Sequence, residues 1–180
     1  MGPSLGGVNR DVRQGNALIT ANLVLTGLFA ATASYAAAVF STTAQWVGAI
    51  TALSCFAIGI FAFIWSYWTA VQASRTREIA VSQLYLLMGD AIPASVRRTM
   101  NLTLLVQVVV AVATTFARPN GPDGNPGSSL AVGFLVPMLG FGLNGLWASR
   151  YGNFAMRVHD DGGASVTATT EEMRQNADHG

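Results

Sequence analysis

The chain has 180 residues, 51% hydrophobic and 11% charged, with a formal net charge of +1 and a mean hydropathy of +0.41. That length predicts one domain, and that composition excludes an ordinary soluble one, in which about a quarter of the residues are charged. From Gln14 through Ser74 there is no Asp, Glu, Lys or Arg, a stretch far longer than the roughly 20 apolar residues that cross a bilayer.

The predicted fold is all-α, a polytopic four-helix membrane bundle. Residues 1–15 form a short cytoplasmic segment, 16–157 the membrane domain, and 158–180 an acidic, disordered cytoplasmic tail. The first span covers about 16–40. Its basic start (Arg10, Arg13) and the small residues 33–38 imitate a secretory signal peptide, but the run is about twice the usual length and leads directly into another span. It is read as a retained helix. The second span, about 44–71, follows a linker so short that the two form an antiparallel hairpin. Helix-compatible residues then carry this helix past Arg75.

The inner loop, 72–99, holds the apolar cluster LYLLM at 84–88, too short to cross a membrane. Two readings stay open for it. It dips into the headgroup region, with Arg75, Arg77, Arg97 and Arg98 contacting lipid heads or a partner, or it is an ordinary loop anchored by interfacial Leu and Tyr. Gly89 and Asp90 break the helix, and Pro93 suits the first turn of the next. The third span is about 97–116. The outer loop, ARPNGPDGNPGSS at 117–129, is rich in turn residues. The fourth span is about 130–147, where Pro137 is expected to kink the helix near mid-membrane.

Arginine placement sets the orientation. Arg10, Arg13, Arg75, Arg77, Arg97, Arg98, Arg150 and Arg157 flank the spans on one side and Arg118 alone on the other. The positive-inside rule therefore predicts both termini in the cytoplasm. In that topology the sequon at Asn101 lies on the cytoplasmic edge and is not glycosylated.

Apart from Arg97 and Arg98 at the edge of the third span, no Asp, Glu, Lys, Arg or His falls inside a span, whereas ion coupling, proton pumping and voltage sensing require one at membrane depth. Cys55 is alone, and His159 and His179 lie in the tail. A disulfide, a haem held between two membrane histidines and a metal cluster are thereby excluded, and no cofactor is expected. No nucleophile, base and orienter occur at plausible spacing, so no catalytic residue is assigned. The near-neutral charge gives no electrostatic case for nucleic acid.

Gly140, Gly142 and Gly145 spell GFGLNG, the dinucleotide pattern. Inside a membrane span, without a strand before it, the motif reads as helix packing. Gly133, Pro137, Gly140, Asn144 and Ala148 share one helical face, where small residues let another backbone approach. Asn22, Thr26, Ala30, Ser34 and Ala38 make a similar stripe in the first span, and Thr103, Gln107, Ala111 and Thr114 or Thr115 one in the third. Asn22, Gln107 and Asn144 line a small polar site or act as interhelical glue. The lack of any charged partner favours glue.

The segments SRTREIAVSQLYLLMGDAIPASVRR (74–98), ARP (117–119) and VGFLVPMLGFGLNGLWASRYGNF (132–154) resemble an uncharacterised family of actinobacterial four-span integral membrane proteins. The resemblance covers about 16–157. It implies a Gram-positive cytoplasmic membrane and a loose association with larger respiratory or lipid-import assemblies, and it supplies no activity. The expected function is a non-catalytic accessory or scaffolding subunit, with the lipid bilayer and another membrane protein, or the chain itself, as partners. The alternative is a small-solute transporter or channel acting as a homo-oligomer.

Overall fold

The computed structural model describes residues 5–77, 79–89, 91–121 and 129–156. The expected tail disorder and most of the outer loop lie outside these residues. The described residues form five α-helices and one 3-10 helix: α1 (Leu5–Val39), α2 (Thr42–Ala73), the short α3 (Val81–Tyr85), α4 (Ala94–Ala117), the 3-10 helix Ser129–Leu135 and α5 (Pro137–Tyr151). No β-strand occurs among the described residues. Arg13–Val39, Thr42–Ala73, Ala94–Ala117 and Ser129–Tyr151 are four helical segments long and apolar enough to cross a membrane.

α1 begins well before the first apolar run, because the polar residues ahead of it permit a helix and nothing there stops one. It ends at Phe40, in the left-handed region at φ 51°. The Arg118 guanidinium lies 4.6 Å from the centre of the Phe40 ring, and its Nε donates to Ala37 O at 3.2 Å. A cation at a helix C-terminus meets the unsatisfied carbonyls and the negative dipole end. The one arginine on the opposite side of the bundle is thus a helix cap. Ser41 opens α2, its Oγ accepting from Ala44 N–H at 3.2 Å, so the hairpin linker is only Phe40–Ser41.

α2 carries its small residues inward. Its buried face is Ala44, Gln45, Gly48, Ala52, Cys55, Gly59, Ala62, Ser66 and Ala70, whereas Trp46, Ile50, Leu53, Phe61, Ile64 and Trp68 are exposed. Phe61 is 69% exposed and Ala52 2%. A bulky apolar exterior around a small-residue interior suits a hydrocarbon solvent, where close helix contact and not apolar burial drives association. In water such a surface would be an aggregation site.

Three expectations are corrected. α2 stops at Ala73, with Ser74 as its C-cap, and does not run past Arg75. The fourth span is not one kinked helix. Val136 separates the 3-10 helix from α5, which starts on Pro137 at its first turn, where the missing N–H costs least. In α1 the strict four-residue stripe fails beyond Thr26. The buried residues are Asn22, Thr26, Phe29, Ala33 and Ala36, while Ser34 and Ala38 are exposed. Steps of four drift about 40° each around a helix of 3.6 residues per turn, so a fixed face alternates threes and fours.

The starts of α1 and α4 and the ends of α2 and α5 lie at one end of the bundle. Tyr151 Oη donates to Gln14 Oε1 at 3.3 Å, Asn153 N–H donates to Ala91 O at 2.9 Å, and the backbone of Arg77 pairs with that of Met156.

Candidate functional site

α5 is the centre of the bundle, and its glycines explain why. A Cβ on Gly59 of α2 would stand 2.5 Å from Leu139 N, and one on Gly142 would overlap the Gly59 carbonyl oxygen. On Gly145 it would meet Ser66 Oγ and Tyr85 Cε1, both at 2.6 Å; on Gly140 it would meet Leu104 Cδ1 at 2.7 Å and Gln107 Oε1 at 2.8 Å. The GFGLNG segment therefore presses on α2 through Gly142 and Gly145, and on α4 through Gly140. Gly133 sits in the 3-10 helix against Phe29 and Ala111, and Pro137 is half-buried at the start of α5. The α2 side of this contact was missed in the sequence. Its signal was the run of Ala, Gly, Cys and Ser at steps of three or four residues from Ala44 to Ala70.

Polar side chains inside the bundle form three layers. At the end where α1 turns into α2, Ser129 Oγ donates to Gln45 Oε1 at 2.8 Å. In the middle, Gln107 Nε2 donates to Thr26 Oγ1 at 2.6 Å and Asn22 Oδ1 at 3.2 Å, and Gln107 Oε1 accepts from Gly140 N–H at 3.2 Å. Gly140 lies in the first turn of α5, whose N–H groups have no partner within the helix. An amide from α4 thus caps a helix that starts in the apolar interior. At the end that carries α3, Asn144 Nδ2 donates to Tyr85 O at 3.0 Å and to Asn101 Oδ1 at 3.3 Å, while Asn101 Nδ2 donates to Leu86 O at 2.8 Å.

That last layer settles the position of LYLLM. Leu84, Tyr85 and Leu87 are buried against the bundle, with Phe63 and Tyr85 stacked at 4.5 Å, and only Met88 of the cluster is exposed. The two asparagines hold the loop carbonyls and turn its apolar side chains inward. We expect Asn144→Ala to free this segment. Hydrogen exchange at 84–88 should rise while exchange in α2 stays slow; unchanged exchange at 84–88 would refute the tether.

The four arginines do not form one site. Arg75 and Arg77 lie in the turn between α2 and α3, whereas Arg97 and Arg98 lie in the first turn of α4 and line a separate open recess of about 600 Å³ with Ser95 and Asn101. Arg97 Nη1 also donates to Gly89 O at 3.0 Å. Asn22, Gln107 and Asn144 are all fully buried, with Asn22 Nδ2 and Asn144 Oδ1 left without hydrogen-bond partners. No cluster of three metal-ligating side chains occurs among the described residues.

Burial pushes the Tyr85 phenol above its ordinary value; nearby Tyr67 acts in the same direction and Ser66 opposes. The fold therefore favours the neutral phenol. Stability from this group is complete below the unfolded pKa of about 10 and is lost as the pH rises from there towards the folded value. The difference between the absorbance titrations of wild type and Tyr85→Phe should be a tyrosinate step above pH 10. A Tyr85 step at or below pH 10 would contradict it.

The class these features define is a bundle of four apolar helices of membrane-spanning length around an uncharged polar interior. No family model matches the chain, and neither a curated protein nor a solved structure is significantly similar to it.

Proposed function

We propose that the chain is a multi-pass protein of the cytoplasmic membrane with both ends in the cytoplasm, and that it serves as a non-catalytic accessory or scaffolding subunit of a larger membrane complex. A respiratory or lipid-import assembly of a Gram-positive cell is the setting that the resemblance implies. One observation carries the reading. The polar groups at mid-depth are engaged in joining helices, Gln107 bridging α1, α4 and α5, and no Asp, Glu, Lys, Arg or His lies at their depth. Such an interior builds a rigid support.

Purification in mild detergent should recover the chain in a stoichiometric complex with a larger membrane protein. Recovery as a homo-oligomer alone, together with solute flux in proteoliposomes, would overturn the reading in favour of a transporter or channel. The unpartnered Asn22 Nδ2 and Asn144 Oδ1 favour that second reading, because buried amides without partners suit a bound water or small polar solute.

Orientation has its own test. In a Cys55→Ala background, an impermeant maleimide added to intact cells should label Asn120→Cys and spare Thr76→Cys, two exposed positions at opposite ends of the bundle. The reverse pattern would invert the topology.

A further inference from the structure

Where the end of α2 meets α3, the bundle surface opens into an apolar groove of about 380 Å³, lined mainly by Phe63, Tyr67, Val71, Ile79, Leu84 and Tyr85. Its volume falls within the range of about 300 to 1,000 Å³ typical of small-molecule sites. Three features bear on its occupant. First, Tyr67 and Val71 belong both to the groove and to the exposed apolar face of α2, so the groove is continuous with the surface that faces hydrocarbon. Second, Ser74 and Ile79 form part of its wall, and the turn between them carries Arg75 and Arg77, both exposed. Third, Tyr85 is 7% exposed and its hydroxyl lies near that of Ser66.

We propose that this groove binds one anionic phospholipid, with an acyl chain along Phe63, Tyr67 and Val71 and the phosphate against Arg75 and Arg77. An apolar trough opening on a bilayer fills with the solvent it faces, which here is acyl chain. The arginine turn at its rim then selects the head, since each basic residue near a membrane surface attracts anionic lipid. Arg97 and Arg98 line a different recess, walled by Ala94, Ser95 and Asn101 and lacking the aromatic and branched side chains that would hold an acyl chain. The inference rests on the membrane-spanning reading and adds a ligand class and a site to it.

Native mass spectrometry of the full chain, purified in mild detergent and exchanged with equal amounts of phosphatidylglycerol and phosphatidylcholine, tests it. The wild type should retain one phosphatidylglycerol with a preference on the order of tenfold, the size expected of two arginines beside an anionic head. Arg75→Gln with Arg77→Gln should abolish the preference and leave lipid retention in place. Val71→Trp, which fills the groove from its open side, should abolish retention of both lipids; Val81→Trp is the substitute if that variant does not fold. Equal retention of the two lipids by the wild type, no retention, or a preference unchanged in the double variant would each overturn the site. Extraction of the chain from membranes by alkaline carbonate would instead overturn the spanning reading.

Discussion

Gly142→Ala is expected to destabilise the bundle by about 3 kcal/mol, the upper part of the range for overpacked interiors. The added carbon has nowhere to go. It would overlap the Gly59 carbonyl and crowd the backbone N of Phe63 at 3.1 Å, and backbone cannot swing aside as the end of a side chain can. α2 and α5, which share the most extensive contact in the molecule, would have to separate along their length. Gly27→Ala is the control, because nothing lies within 4 Å of its added carbon. There the better helix propensity of alanine should leave stability unchanged or raise it by about 0.5 to 1 kcal/mol. Unfolding in mixed micelles with rising dodecyl sulfate would measure both. Equal midpoints for the two variants would refute backbone-to-backbone packing of α2 on α5.

Gln107→Leu should cost about 3 kcal/mol, again far more than a typical interhelical polar contact. Bonds of this kind inside membranes average about 0.6 kcal/mol, so the two made by Nε2 account for little more than 1. The larger part comes from Gly140 N–H, which loses its acceptor where no water replaces it; an orphaned buried donor costs about 1 to 3 kcal/mol. Asn22→Ala removes one of the same bonds and leaves Gly140 capped, so it should cost about 0.6 kcal/mol. The ordering is the sharp part of the expectation. If Asn22→Ala proves as costly as Gln107→Leu, the amide is not acting as the cap of α5.

The four apolar segments and their hairpin were legible in the sequence because they depend only on the length of uncharged runs. The inward turn of Asn22, Gln107 and Asn144 was also legible, since an amide at membrane depth has few alternatives. Two features were hidden for different reasons. The inner face of α2 is written in alanine, glycine, cysteine and serine, which a hydropathy reading averages into the bulky residues beside them. The burial of Leu84, Tyr85 and Leu87 depends on Asn101 and Asn144 donating to the carbonyls of Leu86 and Tyr85, and those partners are 15 to 59 residues away along the chain. An apolar pentapeptide in a loop looks the same whether it faces lipid or protein.

The broken fourth span has a geometric consequence. Its apolar run was the least comfortable of the four, about 27 Å for 130–147 at 1.5 Å per residue, against a hydrocarbon core of about 30 Å. A 3-10 helix rises about 2.0 Å per residue, so Ser129–Leu135, seven residues long, reaches about 14 Å where an α-helix would reach about 10. The tighter winding lends the segment several ångströms of extension without adding a residue. Over Ser129–Tyr151, 23 residues in all, the change of pitch adds that reach to a segment already long enough to cross a membrane.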